Sequence, residues 1–149
     1  MRVVVITGLG QGMGREVALQ LAAGGDTVAG FDVDASGIES LRAELSACGS
    51  DPWLETLDVC DRPGVLAFRD RVLRKYGRVD TVVANVGIGF FGPFEEVDLD
   101  RASRCLEINV TGTAAILQAF LPNMRERRAG RLIAVSSLVG QIPFPFESI

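Results

Sequence analysis

The chain has 149 residues, 48% hydrophobic and 23% charged, a composition typical of globular rather than disordered proteins. Its net charge of −4 argues against a nucleic-acid partner, since a phosphate backbone requires a clustered basic face. There is no histidine, which excludes Ser-His and Cys-His nucleophile pairs and the usual zinc sites, and we expect no metal. No apolar run approaches the roughly 18 residues of a membrane span, so we expect no membrane partner.

The cysteines and the amino terminus bear on the compartment. Cys48, Cys60 and Cys105 are odd in number and share no metal-type spacing, so we expect buried thiols of a reducing compartment. The first apolar run, residues 3–6, is too short for a signal peptide, and Gly8 breaks it. The sequence therefore predicts a cytoplasmic protein.

Strands and helices alternate along the chain. Residues 2–7 form a β-branched run typical of a strand buried on both faces, and a glycine-rich turn leads to a helix. The predicted elements are strand 2–7, helix 13–23, strand 27–32, helix 36–47, strand 53–57, helix 61–76, strand 79–84, helix 100–121 and strand 131–136. This alternation predicts an α/β fold, a Rossmann-type doubly wound parallel sheet with helices on both faces. Right-handed crossovers favour the strand order 3-2-1-4-5, in a single domain over 1–149.

The turn after the first strand, residues 7–14 (TGLGQGMG), is typical of a dinucleotide-binding turn. Glycines there permit a tight turn, close approach of the backbone to a pyrophosphate, and close packing of helix on sheet. The helix N-terminus offers unpaired N–H groups and a partial positive charge to the phosphates. We assign cofactor binding in this turn to Gly8, Gln11, Gly12, Met13 and Gly14.

Asp32 ends the second strand, 18 residues beyond Gly14. A carboxylate there accepts hydrogen bonds from the adenosine ribose hydroxyls and repels a phosphate on that ribose. Two unit charges 4 Å apart interact by about 4 kcal/mol at an effective dielectric constant of 20, so the sequence predicts NAD in preference to NADP. The alternative is that Asp32 is only the polar end of a strand.

Two other uses of such a turn fit less well. A methyltransferase turn carries an acid within or just before its glycines, where this chain has Ile6 and Thr7. A P-loop requires Gly-Lys-Ser/Thr, which is absent from the sequence.

With these residues identified, the chain resembles the short-chain dehydrogenase/reductase family over residues 2–149. Thr7-Gly8-x-x-x-Gly12-x-Gly14 resembles that family's cofactor turn, and Asp58-Val59 stands where the family places an Asp that contacts adenine. Ala84-Asn85-Val86-Gly87 resembles the family's Asn-Asn-Ala-Gly stretch, with Ala84 and Val86 as departures. The resemblance adds Asp58, Val59, Asn85 and Gly87 to the expected cofactor site.

The resemblance also implies catalytic residues. Asn109 matches a helix asparagine that helps to hold a water linking the catalytic lysine to solvent. Ser137 matches the serine that hydrogen-bonds the substrate carbonyl or alcohol and orients it. The implied activity is hydride transfer between NAD(H) and a secondary alcohol or ketone, in a homodimer or homotetramer.

One part of the family's site has no counterpart in this sequence. The family's Tyr-x-x-x-Lys motif would begin immediately beyond Ile149, while Tyr76 and Lys75 are the sole tyrosine and lysine and belong to the helix 61–76. Since acid–base catalysis contributes roughly 10²–10⁴-fold, we expect the 149 residues alone to be nearly inert. We therefore expect the parent protein to continue. The alternative function is a non-catalytic dinucleotide-binding module, either a pseudoenzyme or a sensor.

Three aromatic residues lie in the loop after the fourth strand: Phe90, Phe91 and Phe94. They either pack beneath the loop or touch substrate, and packing is the more common role of such residues.

Overall fold

In a computed structural model, which describes residues 1–147, five parallel strands form one sheet in the order β3-β2-β1-β4-β5. The strands are β1 (Val3–Thr7), β2 (Thr27–Asp32), β3 (Trp53–Thr56), β4 (Thr81–Ala84) and β5 (Arg131–Ala134). The helices are α1 (Gly12–Ala23), α2 (Ala35–Ala47), α3 (Arg62–Tyr76), α4 (Leu99–Leu106) and α5 (Thr113–Arg127). The predicted fold class and strand order are confirmed.

Helices cover the sheet on both faces, and β1 lies at its centre with every residue buried. Because side chains alternate along a strand, Val3 and Val5 join the core beneath α3 and α5, while Val4 and Ile6 join the core beneath α1 and α2. Phe68 is central to the first core. Its ring meets Phe31 edge-on at 5.0 Å and Phe120 at 6.4 Å between centroids, a geometry that aromatic pairs prefer.

The helical segment predicted over 100–121 is longer and less regular than expected. It runs from Leu99 to Arg127, with six π-helical residues, Glu107–Gly112, between α4 and α5. The prediction stopped before Pro122, yet α5 continues through this proline. Phe120 and Met124 on either side of it are buried, and we attribute the continuation to this packing, which offsets the hydrogen bond that proline cannot donate.

The cysteine prediction is correct in part. Cys105 is buried and Cys60 is half-buried, but Cys48 is exposed beyond the end of α2, so the prediction that it is buried is wrong. Cys48 is the C-cap of α2 and lies past the helix residues Ile38, Leu41 and Leu45 that face the core. Within residues 1–147, no helix is both long enough and apolar enough to cross a bilayer.

Asp80 joins three parts of the fold just before β4. Its carboxylate accepts hydrogen bonds from the Val3 N–H at 2.9 Å, from Arg78 at 3.1 Å and from Arg127 at 2.9 Å. Partial burial pushes the pKa of Asp80 upward, but these three donors outweigh it and hold the pKa below its ordinary value of 3.8.

Replacing Asp80 with asparagine is expected to lower the free energy of unfolding at pH 7 by about 1–3 kcal/mol, because Arg78 and Arg127 then donate to a neutral amide oxygen instead of a carboxylate. A carboxyl whose folded pKa is depressed stabilises fully above its unfolded pKa and loses that contribution as the pH falls through the folded value. The free energies of unfolding of wild type and Asp80→Asn should therefore become more similar below about pH 4. Urea unfolding at pH 7, 4 and 3 measures this difference.

Asp70→Asn is the matched control, since Asp70 is exposed and pairs with its neighbour Arg69 on the surface of α3. Exposed pairs contribute about 0–1 kcal/mol. An Asp80→Asn deficit of the same size at every pH would contradict the electrostatic explanation.

Candidate active site

The predicted site residues converge on one edge of the sheet. The glycine turn follows β1, Asp32 ends β2, Asp58 and Val59 follow β3, Asn85 and Gly87 follow β4, and Ser137 follows β5. Since all five strands are parallel, their carboxyl ends lie at the same edge. The strand order reverses between β1 and β4, and such a switch point is where open α/β sheets bind ligands.

The glycine turn has the backbone geometry that its composition predicts. Gly8 and Gly12 have φ angles of +71° and +57°, a region that disfavours residues with a Cβ atom. A Cβ on Gly14 would lie 2.2 Å from the Gly8 carbonyl oxygen, so the first turn of α1 packs directly on the chain leaving β1. Gln11, Gly12 and Met13 are exposed beside them.

The N-terminus of α1 is left open in a way that those of its neighbours are not. Among the helices described, α2, α3 and α4 begin at Asp34, Asp61 and Asp98, whose carboxylates accept backbone N–H groups of the first turn. The N-cap of α1 is Gln11, which makes no such bond, and no acidic residue lies in its first turn. Its N–H groups are available to an anion.

The side chain of Asn85 holds the start of the glycine turn through hydrogen bonds. Its amide Nδ2 donates to the carbonyl oxygens of Thr7 at 3.1 Å and Gly8 at 3.0 Å. Thr7 is fully buried, and its hydroxyl accepts the N–H groups of Asn85 at 3.1 Å and Val86 at 3.2 Å. The side chain of Asn85 thus faces the protein backbone. Thr7 was not among the predicted site residues, although a hydroxyl at the end of an apolar strand distinguishes it in the sequence.

Asp32 is fixed against the glycine turn. One carboxylate oxygen accepts the Gly10 N–H at 2.9 Å and the other accepts the Asp34 N–H at 3.0 Å. A Cβ on Gly10 would lie 3.0 Å from the Asp32 carboxyl carbon, so the absence of a side chain there permits the contact. Each oxygen keeps a further acceptor position. The Asp32 carboxylate is therefore held in one position beside the glycine turn.

A cleft of about 120 Å³ opens beside Asp32. Asp58 lies in its wall, where its carboxylate accepts the Cys60 N–H at 2.9 Å and pairs with Arg104 of α4. Partial burial pushes the pKa of Asp58 upward, but these two donors hold it below its ordinary value. The neighbouring Val59 is buried, and its side chain packs so tightly on Gly112 that a Cβ there would come within 2.6 Å.

Asn109 lies in the π-helical segment and ties it to the loop after β4. Its Oδ1 accepts the Ile88 N–H at 2.9 Å, and its Nδ2 donates to the Ile88 carbonyl at 2.7 Å. The Cys105 thiol also donates to that carbonyl, at 3.2 Å. Gly87 lies next to this contact, since a Cβ on it would be 3.4 Å from Asn109 Oδ1.

Ser137 lies exposed just beyond β5, which ends at Ala134 rather than at the predicted residue 136. Its hydroxyl accepts the Val139 N–H at 3.4 Å and caps a short 3₁₀ turn, Leu138–Gly140. Within residues 1–147 the hydroxyl donates to no other group, so its hydrogen is available to a ligand.

Tyr76 and Lys75 stand apart from this edge. The Tyr76 hydroxyl donates to the Asp51 carbonyl at 2.9 Å, and Lys75 pairs with the Asp51 carboxylate at 2.8 Å. Asp51 precedes β3, so both side chains lie at the amino edge of the sheet, opposite the site.

The three phenylalanines predicted in the loop after β4 differ in their exposure. Phe90 is half-buried, with the Arg101 guanidinium 4.6 Å from its ring centre. Phe91 and Phe94 are exposed, so the prediction that they pack beneath the loop is wrong for these two. Backbone groups of the loop are instead held by hydrogen bonds, from the Ile88 N–H to Asn109 and from the Gly92 N–H to the Phe146 carbonyl.

The parallel sheet and the glycine turn at its switch point define a Rossmann-type nucleotide-binding architecture. Comparison with known proteins narrows this class. A family model described as short chain dehydrogenase matches residues 2–149. The chain therefore belongs to the short-chain dehydrogenase family, whose members are NAD(P)-dependent oxidoreductases.

Curated relatives support the assignment. Human 17-beta-hydroxysteroid dehydrogenase type 1 is 39% identical over 157 residues, which cover 99% of this chain and 46% of that protein. The putative oxidoreductase SadH of Mycobacterium tuberculosis is 33% identical over 147 residues, 99% of this chain and 53% of that one. The chain thus spans about half the length of these curated relatives.

Solved structures agree on the fold. A NAD⁺-bound xylitol dehydrogenase superposes with a TM-score of 0.93 at 30% identity, over 98% of this chain and 56% of that one. An alcohol dehydrogenase from the archaeon Thermococcus sibiricus, complexed with 5-hydroxy-NADP, gives 0.92 at 32% identity, over 99% and 63%. These two relatives hold different dinucleotides.

Proposed function

We propose that this chain is the cofactor-binding part of an NAD-dependent oxidoreductase that interconverts a secondary alcohol and a ketone on a small or medium organic substrate. The observation that carries the proposal is the glycine turn held against the Asp32 carboxylate. Gly10 donates its N–H to Asp32 at 2.9 Å, which places a fixed negative charge beside the open N-terminus of α1.

The residues present fit a nicotinamide dinucleotide. Gly8 and Gly12 have positive φ angles, and the first turn of α1 has no side-chain cap. Together they leave a space for a pyrophosphate that side chains would otherwise fill. Gly8, Gln11, Gly12, Met13 and Gly14 would hold the phosphates, and Asp32 would bind the adenosine ribose. Asp58 and Val59 would border the adenine, while Asn85 and Gly87 would shape the backbone that meets the nicotinamide half.

The cofactor, when bound, supplies the hydride chemistry, and the protein supplies binding and orientation. Ser137 would donate its free hydroxyl hydrogen to the substrate oxygen and thereby orient it. Asn109 would keep the loop after β4 in place through its paired bonds to Ile88 and would help to hold a water for proton transfer. The family's Tyr-x-x-x-Lys pair would complete the proton path in a longer chain.

Calorimetry with NADH and NADPH tests the proposal. We expect NADH to bind at least about tenfold more tightly, because the ribose phosphate of NADPH would lie beside Asp32. Equal affinities, or tighter binding of NADPH, would contradict the cofactor assignment.

The second candidate is a non-catalytic dinucleotide-binding module, favoured by the position of Tyr76 and Lys75 at the opposite edge of the sheet. Turnover separates the two candidates: the parent protein should oxidise or reduce members of an alcohol and ketone panel, whereas the module binds NADH without turnover. A chain that binds no dinucleotide removes both.

We also propose a homodimer or homotetramer in the cytoplasm, acting on small molecules and not on nucleic acid or membranes. The support is the chain's membership of the short-chain dehydrogenase family, whose members act on small molecules and often form oligomers.

A further inference from the structure

Arg104, in the last turn of α4, joins two elements that are distant in sequence. Its guanidinium pairs with the Asp58 carboxylate after β3, 46 residues away, and donates to Glu107 at 2.7 Å. Because Asp58 and Glu107 both accept hydrogen bonds from it, the planar guanidinium is held in one orientation. Asp58 is fixed in turn, because its other oxygen accepts the Cys60 N–H at 2.9 Å.

The pair faces the cleft beside Asp32. Apolar side chains form much of the wall, among them Leu57, Ile88 and Ile108, and Asp58 and Arg104 complete it. A flat heterocycle fits between apolar walls, and an acceptor-only carboxylate at the rim binds an exocyclic amine. The same carboxylate repels a ring that presents a carbonyl oxygen at that position.

We propose that Arg104 is a positioning residue for purine selectivity: by fixing Asp58, it makes the cleft select a 6-amino purine, adenine, over a 6-oxo purine. The inference rests on the proposed dinucleotide function and deepens it.

Fold stability is a poor explanation for the pair. The side chains of Arg104 and Asp58 are 41% and 38% exposed, and ion pairs this accessible contribute little to folding because water screens them. Without its arginine, the Asp58 carboxylate would be held through one oxygen only, by the Cys60 N–H, and its other oxygen would have no fixed position. Orientation is therefore what the arginine adds, and orientation matters most to a ligand.

The test compares NADH with its analogue in which hypoxanthine replaces adenine. We expect wild type to bind NADH about tenfold or more tightly than the analogue, the value of one hydrogen bond to a charged acceptor. Arg104→Gln should reduce this ratio to about threefold or less. Arg104→Lys should recover part of it, since the charge returns without the planar fork.

Asp58→Ala should lower the ratio as Arg104→Gln does, and the double variant should lose nothing further, because the two residues act as one unit. Arg101→Gln is the matched control, since Arg101 lies one turn earlier on α4 and faces the Phe90 ring. Its ratio should equal that of wild type.

The outcomes are distinguishable. A wild-type ratio near one, or an Arg104→Gln ratio equal to that of wild type, overturns the role of Arg104 and leaves dinucleotide binding intact. An equal loss of affinity for both dinucleotides in Arg104→Gln indicates a merely structural role and also overturns it. A wild-type chain that binds neither dinucleotide overturns the proposed function and this inference with it.

Discussion

Replacing Gly14 with alanine is expected to lower NADH affinity by about a hundredfold or more and to destabilise the fold by about 1–3 kcal/mol. The added Cβ would lie 2.2 Å from the Gly8 carbonyl oxygen and 2.6 Å from Asn85 Nδ2. Neither is the far end of a flexible side chain, because the first is backbone and the second is held by Thr7 and Gly8.

The collision has to move the N-terminus of α1 away from β1. That end of the helix carries the open N–H groups, and the turn beside it sets how closely a pyrophosphate approaches. Hydrogen bonds to a charged phosphate contribute about 1.5–3 kcal/mol each, so weakening one or two of them is enough to cost two orders of magnitude in affinity. NADH binding should therefore be weakened in addition to the loss of stability. Calorimetry with NADH and urea unfolding measure the two effects separately.

Gly24→Ala is the control, at the other end of the same helix. Gly24 has an ordinary φ of −78°, and a Cβ there would be no closer than 3.4 Å to its neighbours. Stability and NADH affinity should stay near wild type. If Gly14→Ala binds NADH as wild type does, the packing of α1 on the turn does not control the cofactor site.

Replacing Asp32 with alanine is expected to change the dinucleotide preference by about two orders of magnitude. NADH should lose about tenfold or more, because the ribose hydroxyls lose a charged acceptor. NADPH should gain, because a repulsion of about 4 kcal/mol at 4 Å and an effective dielectric constant of 20 disappears. Part of this gain will be offset, since the Gly10 N–H also loses the acceptor that fixes the turn.

Two further variants isolate the charge. Asp32→Asn keeps an acceptor for Gly10 while removing the charge, so its preference should lie between those of wild type and Asp32→Ala. Asp34→Asn removes a charge two residues away and keeps an N-cap for α2, where Asp34 now accepts the Ser36 N–H at 3.0 Å. Its preference should stay close to that of wild type. Affinities for NADH and NADPH that do not change in Asp32→Ala would remove the basis of the cofactor proposal.

The unexpected features of the site involve residues that are distant in sequence. Asn85 was predicted as a cofactor residue, and its side chain instead faces the backbone of Thr7 and Gly8, 78 and 77 residues earlier. Arg104 belongs to no motif in the sequence, and the role we propose for it follows only from its contact with Asp58. Neither partner can be inferred from spacing along the chain, because the register of β1 with β4 and the path of α4 bring them together.

The sequence alone determined the alternating elements, the strand order and the glycine turn with its acidic residue at the end of β2. These depend on local physical requirements: apolar periodicity, backbone angles that only glycine adopts easily, and the handedness of crossovers. Only the tertiary structure showed the hydrogen bonds of Asn85 to the glycine turn and the pairing of Asp58 with Arg104. It also showed that α5 continues beyond Pro122 and that Cys48 and Phe91 are exposed. Those features depend on which surfaces meet after the sheet has formed, because burial and pairing belong to the packed chain and not to any short stretch of it.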